Sequence, residues 1–566
     1  MDRSYDDRTL FWPLEYRGEL RKKVLAYGRS RGLLQPEDCG TMTHWYSRTP
    51  QAFLDHFQPD FLPQSNENYK EKTGLVWDIC QEQNMDRYFA LTEAHVKAYG
   101  DGQIFHTIGL AERQCFTDRF KNHQLKLYTY RRIINKLREK YPHAPLLIAS
   151  WDFVSTWTHD EVKALIAELD PANCLILDYT SDIYWETNNF RNWGLVGKFP
   201  WIYGIFHAFE ASTEIRGMYD NIGTRFPIAA EDPMCKGVIY WPENSHSDTL
   251  MLDYFPSIAW DPSQYRIEKF ISGFCQRRYP AALTETMEGL WQDSLPFIKA
   301  CIWGAWAFDG AQREVYPDPY FVLGKNGVWY WGEIDGTRLE YFSFKYRELH
   351  DKIPDAVKIF ERLAALNFDS LDTFTRRDVL DLARTMFSRV MNYAMARFGL
   401  KLDGWCTGSA QWFANFESSG EELLEEMKNL RQFAACLTRL LEASGEFSLN
   451  IALMELRKRH EVNPCFEHTL KGNAENNYCR SFVYELAKEC YEPALAEFEK
   501  FLIQRVTEND RRVWNGLTEY FKEKMSVITD AFYQKPLEQM APDISSAYRK
   551  LPETLTLMAE LTGKFK

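Results

Sequence analysis

PLLIASWDFVSTWTHDEVKALIAELDPANCLILDY (Pro145 to Tyr179) decides the fold. Its two ends, PLLIASW and CLILDY, are short apolar runs with a carboxylate at their close, Asp152 just after the first and Asp178 in the second. Between them, DEVKALIAEL (Asp160 to Leu169) spaces its apolar residues three and four apart. A continuous apolar run suits a strand covered on both faces, and the middle spacing suits an amphipathic helix. Strand, helix, strand in this order predicts a parallel sheet.

The pattern extends in both directions. RGLL (Arg31 to Leu34), QIFHTIGL (Gln103 to Leu110), WIYGIF (Trp201 to Phe206) and GVIYW (Gly237 to Trp241) also read as buried strands, six runs in all. YRGELRKKVLAYG (Tyr16 to Gly28) and LKLYTYRRIINKLREKY (Leu125 to Tyr141) read as helices. Polar residues stand at the strand ends: Glu112, Asp152, Asp178, His207 and Glu243. In a (β/α)₈ barrel the chemistry sits at the carboxyl ends of the strands, and a closed barrel has eight of them. Six runs therefore leave either two strands unread or a barrel apparently lacking its first two strands.

Past Trp260 the character changes. SQYRIEKFISGFCQRRY (Ser263 to Tyr279) reads as a helix, and Gly310 to Gly336 as irregular. From Pro354 onward helical patterns dominate, including Arg376 to Phe398, Gly420 to Ala443 and Arg480 to Val506. The expected division is a βα-barrel over residues 1–262 and an all-helical domain over 263–566. The 566 residues are too many for one hydrophobic core, which agrees.

Composition narrows the function. A net charge of -13 disfavours nucleic acid as a partner. No run of 18 apolar residues suggests a membrane span. The start lacks the basic and apolar regions of a secretory signal, and the 12 Cys form no C-x-x-C pair. Both features predict reduced thiols and a cytoplasmic chain. P-loop, dinucleotide-binding, H-E-x-x-H and G-x-S-x-G motifs are absent, which leaves carboxylates at strand ends among many aromatics. Two carboxyl groups suffice for glycoside hydrolysis: one protonates the leaving oxygen and the other attacks the anomeric carbon. From the residues alone, Glu112, Glu243, Asp178 and Asp152 are equal candidates for that pair.

WPENSHSDTLMLDYFPSIAWDPSQYRIEKFISGFCQRRYP (Trp241 to Pro280) resembles the family 89 glycoside hydrolases, the α-N-acetylglucosaminidases, in its Pro-Glu turn and its helix closing on Arg-Arg-Tyr. FPWIYGIFHAFEASTEIRGMYDNI (Phe199 to Ile222), PLLIASW and the helical segments Arg376 to Phe398 and Asn476 to Leu502 resemble other parts of that family in the same order. The resemblance implies a retaining exo-α-glycosidase acting on terminal α-linked N-acetylglucosamine in carbohydrate substrates, with no metal or cofactor. It puts the nucleophile at Glu243 and the general acid/base at Glu112. Trp151, His207 and Phe209 fall on pocket positions, and Asp178 joins them as a strand-end substrate-binding candidate.

The chain departs from the family where Ala111 replaces an Asn, and where Ala208-Phe209-Glu210-Ala211 replaces Asn-Phe-Gly-Gly. These departures keep two alternatives open: a different α-linked sugar, or a carbohydrate-binding relative without turnover. The resemblance also begins two barrel strands late. The chain is then a fragment, or has a misassigned start, or completes its barrel with a homo-oligomeric partner or another chain.

Overall fold

The computed structural model describes residues 14–39, 55–63, 76–100, 102–110, 114–182, 188–207, 215–242, 248–300, 346–407, 416–459, 466–475, 483–511 and 517–566. The chain divides into two compact units. The first holds residues 1–206, 221–241 and 462–466; the second holds 207–220, 242–461 and 467–566.

The first unit alternates strands and helices. Helix α1 (Leu14–Ser30) precedes β1 (Glu37–Asp38), and α2 (Glu82–Tyr99) precedes β2 (Phe105–Thr107). Then follow α3 (Arg119–Lys140), β3 (Leu146–Ala149), α4 (Trp151–Thr156), α5 (His159–Glu168) and β4 (Cys174–Asp178). Next come α6 (Asn189–Asn192), β5 (Trp201–His207), α7 (Tyr219–Glu231) and β6 (Cys235–Pro242). Among the described residues the sheet has six strands in the order β1-β2-β3-β4-β5-β6, and β1 through β5 pair in parallel. This is the predicted tim-barrel-type arrangement, with strand order following chain order.

The local chemistry explains the central elements. Leu146–Ala149 is buried at every position, as a strand covered on both faces requires. Helix α5 starts with a reciprocal cap: the Thr158 hydroxyl accepts from Glu161 N, and the Glu161 carboxylate accepts from Thr158 N. Gly204 in β5 has no alternative, because a Cβ there would stand 2.7 Å from the Asp178 carbonyl oxygen. Trp201 stacks on Phe190 at 4.7 Å and donates its Nε1–H to Asp232 at 2.8 Å.

One predicted strand moves. Arg31 to Leu34 is not a strand but the exit of α1. Gly32 turns at φ +79°, Leu33 N bonds back to Gly28 O, and Leu33 and Leu34 are 66% and 73% exposed. The first strand pairs further on, at Glu37 and Asp38. A leucine pair is apolar whether it packs or closes a helix, and only the left-handed glycine distinguishes the second case.

The second unit is helical. Its helices include α8 (Thr249–Trp260), α9 (Ile267–Arg278), α10 (Ala281–Lys299), α11 (Ile353–Ala364), α12 (Thr373–Thr407) and α13 (Gly420–Glu442). They continue with α14 (Leu449–Arg459), α15 (Phe466–Glu475), α16 (Tyr484–Leu486), α17 (Glu492–Thr507), α18 (Leu517–Gln534), α19 (Ile544–Arg549) and α20 (Leu551–Lys564). Residues 378–396 of α12 are buried on all sides, so this helix is the axis of the unit. Phe387 of α12 stacks on Phe433 of α13 at 4.7 Å, and Phe433 meets Phe565 beyond α20 at 5.5 Å. Among the described residues, no helix is long and apolar enough to cross a membrane. The irregular segment from Gly310 to Gly336 lies outside the described residues.

The Arg-Arg-Tyr ending of α9 has a structural job. The Arg278 Nε donates to Asp378 Oδ2, its Nη2 to Asp378 Oδ1 at 2.9 Å, and the Tyr279 hydroxyl to Oδ2 at 2.7 Å. Thr249 donates to Oδ1 at 3.2 Å, and Trp291 donates to the Tyr279 hydroxyl at 2.8 Å. Asp378 is fully buried, and this network ties α8, α9 and α10 to α12.

Candidate active site

Parallel strands place their carboxyl ends on one edge, and in the first unit that edge is aromatic. Trp151 directly follows Ser150 at the end of β3, Tyr179 follows β4, Phe206 sits near the end of β5 and Trp241 near the end of β6. Their rings form one cluster. Trp151 meets Tyr179 at 5.5 Å and Phe206 at 5.6 Å; Tyr179 meets Phe206 at 4.8 Å and Trp241 at 5.0 Å. His106 of β2 lies 5.6 Å from Trp241. Such rings have flat apolar faces of the kind on which sugar C–H faces stack, but Trp151, Tyr179 and Phe206 are buried and spend most of that surface on one another. Of these five, sequence reasoning named only Trp151. For Tyr179, Phe206 and Trp241 the signal was available, since each is the last residue of a predicted strand; His106 stood inside the predicted run Gln103 to Leu110.

Asp178 closes β4. Its carboxylate is buried and accepts the Phe190 N–H at 3.2 Å and the Thr180 N–H at 3.4 Å. It therefore holds the turn that carries Tyr179. Burial pushes its carboxyl up to about 6, while the Thr180, Ser181 and Phe190 donors pull the other way. Asp152, equal to the others by position, is consumed by structure. It pairs with Lys126 of α3, accepts from the Tyr130 hydroxyl at 3.3 Å and from Thr156 at 3.2 Å, and locks α3 to α4.

Asp182, four residues beyond β4, escaped the sequence reading. It is buried, and among the described residues its Oδ1 has no hydrogen-bond partner. Asn221 and Arg225 of α7 bind the neighbouring backbone instead: Asn221 Nδ2 donates to Asp182 O at 2.9 Å, and Arg225 to Ser181 O at 2.9 Å. Burial pushes the Asp182 carboxyl from its ordinary 3.8 up to about 7, against the pull of Arg225 and backbone donors. Between those two values the unfolded chain gives up the proton while the folded chain keeps it. Stability therefore falls as pH rises from about 4 to about 7. We expect Asp182→Asn to exceed the wild type in stability at pH 8 by on the order of 2 kcal/mol and to match it near pH 4. Urea midpoints at the two pH values check this; an equal offset at both would assign the effect to packing.

His207 belongs to the second unit. Its Nε2 lies 3.2 Å from Asp248 Oδ2, and both residues are buried. Asp248 also accepts Arg216 N at 3.1 Å and caps α8 through Met251 N at 3.1 Å. One carboxylate thus fixes the imidazole and starts the helix. Glu112, Glu243 and Phe209 lie outside the described residues. Along the chain, Glu243 follows Pro242, the last residue of β6, and stands two residues past Trp241 of the aromatic cluster.

Residues 64–262 match the family model described as the alpha-N-acetylglucosaminidase (NAGLU) tim-barrel domain. No curated protein matches the chain. Among solved structures, a family 89 glycoside hydrolase from Clostridium perfringens in complex with 2-acetamido-1,2-dideoxynojirmycin aligns at 14% identity and a TM-score of 0.62, covering 95% of this chain and 59% of that one. A Clostridium perfringens GH89 carrying two Glu-to-Gln substitutions, in complex with its substrate GlcNAc-alpha-1,4-galactose, aligns at 14% identity and 0.61, covering 95% and 58%. The Clostridium perfringens family 89 hydrolase bound to PUGNAc aligns at 14% and 0.60, covering 94% and 58%. The chain thus spans about 59% of the length of the solved structure named first, and at such identity the likeness establishes the fold. Over residues 64–262 the chain is thus similar to the α-N-acetylglucosaminidase tim-barrel domain.

Proposed function

We propose that the chain is a retaining exo-α-glycosidase, with terminal α-linked N-acetylglucosamine as its sugar. The observation that carries this reading is the aromatic cluster at the strand ends, with Glu243 next along the chain from the strand that supplies Trp241. The family match over the same segment supports it. Its end at residue 262 also supports the proposed division into a catalytic segment, 1–262, and a helical one, 263–566.

In the proposed reaction the Glu112 carboxylic acid gives its proton to the glycosidic oxygen while a Glu243 carboxylate oxygen attacks the anomeric carbon. The C–O bond to the leaving group breaks and a glycosyl ester forms. The Glu112 carboxylate then takes a proton from water as the water oxygen attacks the same carbon and releases Glu243. Two inversions give retention, and the two carboxyl groups must stand ~5–5.5 Å apart. Trp151, Asp178, His207 and Phe209 are the proposed sugar-pocket residues. Trp151 offers an aromatic ring, Asp178 acts through the turn it holds, and His207 is oriented by Asp248.

Nitrophenol release from a panel of α- and β-linked nitrophenyl glycosides tests the reading. Turnover of the α-N-acetylglucosaminide is expected, with the β-anomer inert. Preference for another α-glycoside would keep the mechanism and replace the sugar, as the departure at Ala111 allows. Turnover of none, by a chain that melts cooperatively, would favour the carbohydrate-binding reading.

A further inference from the structure

The helical unit carries a cleft of about 610 Å³ between the start of α12, the turn after α13 and helix α19. That volume suits a small organic ligand. Its wall holds Arg376 and Arg377 of α12 and Arg549 of α19, with Phe374 and Tyr548 as its rings. Asp369 and Glu446 are the acidic members of the wall.

The charges are not equally engaged. Arg377 is used: its Nε donates to Glu446 at 3.2 Å, and its Nη1 stands 3.9 Å from Asp381. Arg376 is held but unspent. Its guanidinium lies over the Tyr548 ring, 4.7 Å from the centroid, and its Nε donates to Leu371 O at 2.9 Å. Tyr548 is fixed in turn by its hydroxyl, which donates to Phe368 O at 2.8 Å. Stacking and the Nε bond orient the fork, and among the described residues neither Nη has a protein acceptor. Arg549 is exposed and likewise has no acceptor among them. Phe374 is 66% exposed, a large ring at the cleft wall where burial would be expected. In a chain of net charge -13, two guanidinium groups with open Nη donors beside an exposed ring, whose other neighbour is the Arg278 guanidinium at 5.8 Å, are a local reversal of the field.

We propose that this cleft binds an oxyanion carried on a ring, such as a phosphorylated or carboxylated sugar. The preset fork of Arg376 and the side chain of Arg549 take the oxyanion by charge-assisted hydrogen bonds, and Phe374 takes the flat apolar face of the ring. This site is independent of the carboxylate pair proposed for catalysis.

Isothermal titration of the full chain with glucose 6-phosphate, glucuronate, glucose and inorganic phosphate tests it. Saturable binding of at least one of the two acidic sugars is expected, with glucose and inorganic phosphate each at least about tenfold weaker. Arg376→Gln and Arg549→Gln should each weaken the acidic sugar about tenfold, and Phe374→Ala should narrow its advantage over inorganic phosphate. Arg549→Gln removes no hydrogen bond or ion pair among the described residues, so its loss of binding reads on the ligand. Binding should persist in Glu243→Gln. The proposal is overturned if neither acidic sugar binds saturably, if glucose binds as tightly as they do, if both arginine variants bind unchanged, or if Glu243→Gln abolishes the binding.

Discussion

Glu243→Gln lowers kcat on an α-N-acetylglucosaminide by about 10⁴-fold or more, because it removes the only group proposed to bond to the anomeric carbon. An amide is nearly isosteric with a carboxylate and keeps the local packing, but it neither attacks carbon nor stabilises an oxocarbenium-like charge. Glu112→Gln behaves differently. General acid catalysis contributes about 10²–10⁴-fold, and its share depends on how badly the leaving group needs a proton. A nitrophenolate leaves almost unaided, whereas a sugar alkoxide does not. Glu112→Gln should therefore spare the first, ester-forming step on the nitrophenyl glycoside, read as kcat/KM or a burst of nitrophenol, slow the following hydrolysis because water loses its base, and lose cleavage of an α-linked disaccharide. Glu243→Gln should lose both. Equal losses on the two substrates in both variants would remove the assignment of roles.

The second large effect is on stability. Asp378→Ala should lower the stability of the helical unit by about 3–5 kcal/mol, since breaking a buried pair leaves an uncompensated charge behind. Here it leaves Arg278 and the Tyr279 hydroxyl without their acceptor, in a network that joins four helices. Burial, and then the Asp378 charge, already holds the Tyr279 hydroxyl far above its ordinary range, so it stays a donor in need of a partner. Replacing Arg278 by Met alongside Asp378→Ala removes the stranded cation and should recover part of the loss. A double-mutant cycle read by denaturant unfolding measures the coupling. A loss under about 1 kcal/mol would place the Arg-Arg-Tyr motif outside the machinery that orders the unit.

These expectations show what the sequence carried and what it hid. Strands β3 and β4 were legible because they are continuous apolar runs flanking a helix with an intact capping box. The six strands found among the described residues were legible for the same reason, although the first was displaced by a leucine pair that closes α1. The resemblance pointed to the Arg-Arg-Tyr ending but not to its partner. Asp378 lies 100 residues from Arg278, inside a pattern that reads only as amphipathic helix. Asp182 was hidden by its neighbours: in a polar stretch a carboxylate reads as a solvated loop, and only the approach of α7 buries it. Asp152 shows the converse, since its place at a strand end suggested chemistry and Lys126 claimed it.

Proton NMR of the first sugar released from an α-N-acetylglucosaminide puts the two-carboxylate proposal to its sharpest test. Double displacement through Glu243 and Glu112 predicts that the α-anomer appears first and mutarotates afterwards to the equilibrium mixture. Initial appearance of the β-anomer would mean a single displacement by water, with carboxyl groups ~6.5–9.5 Å apart, and would contradict Glu243 as the nucleophile.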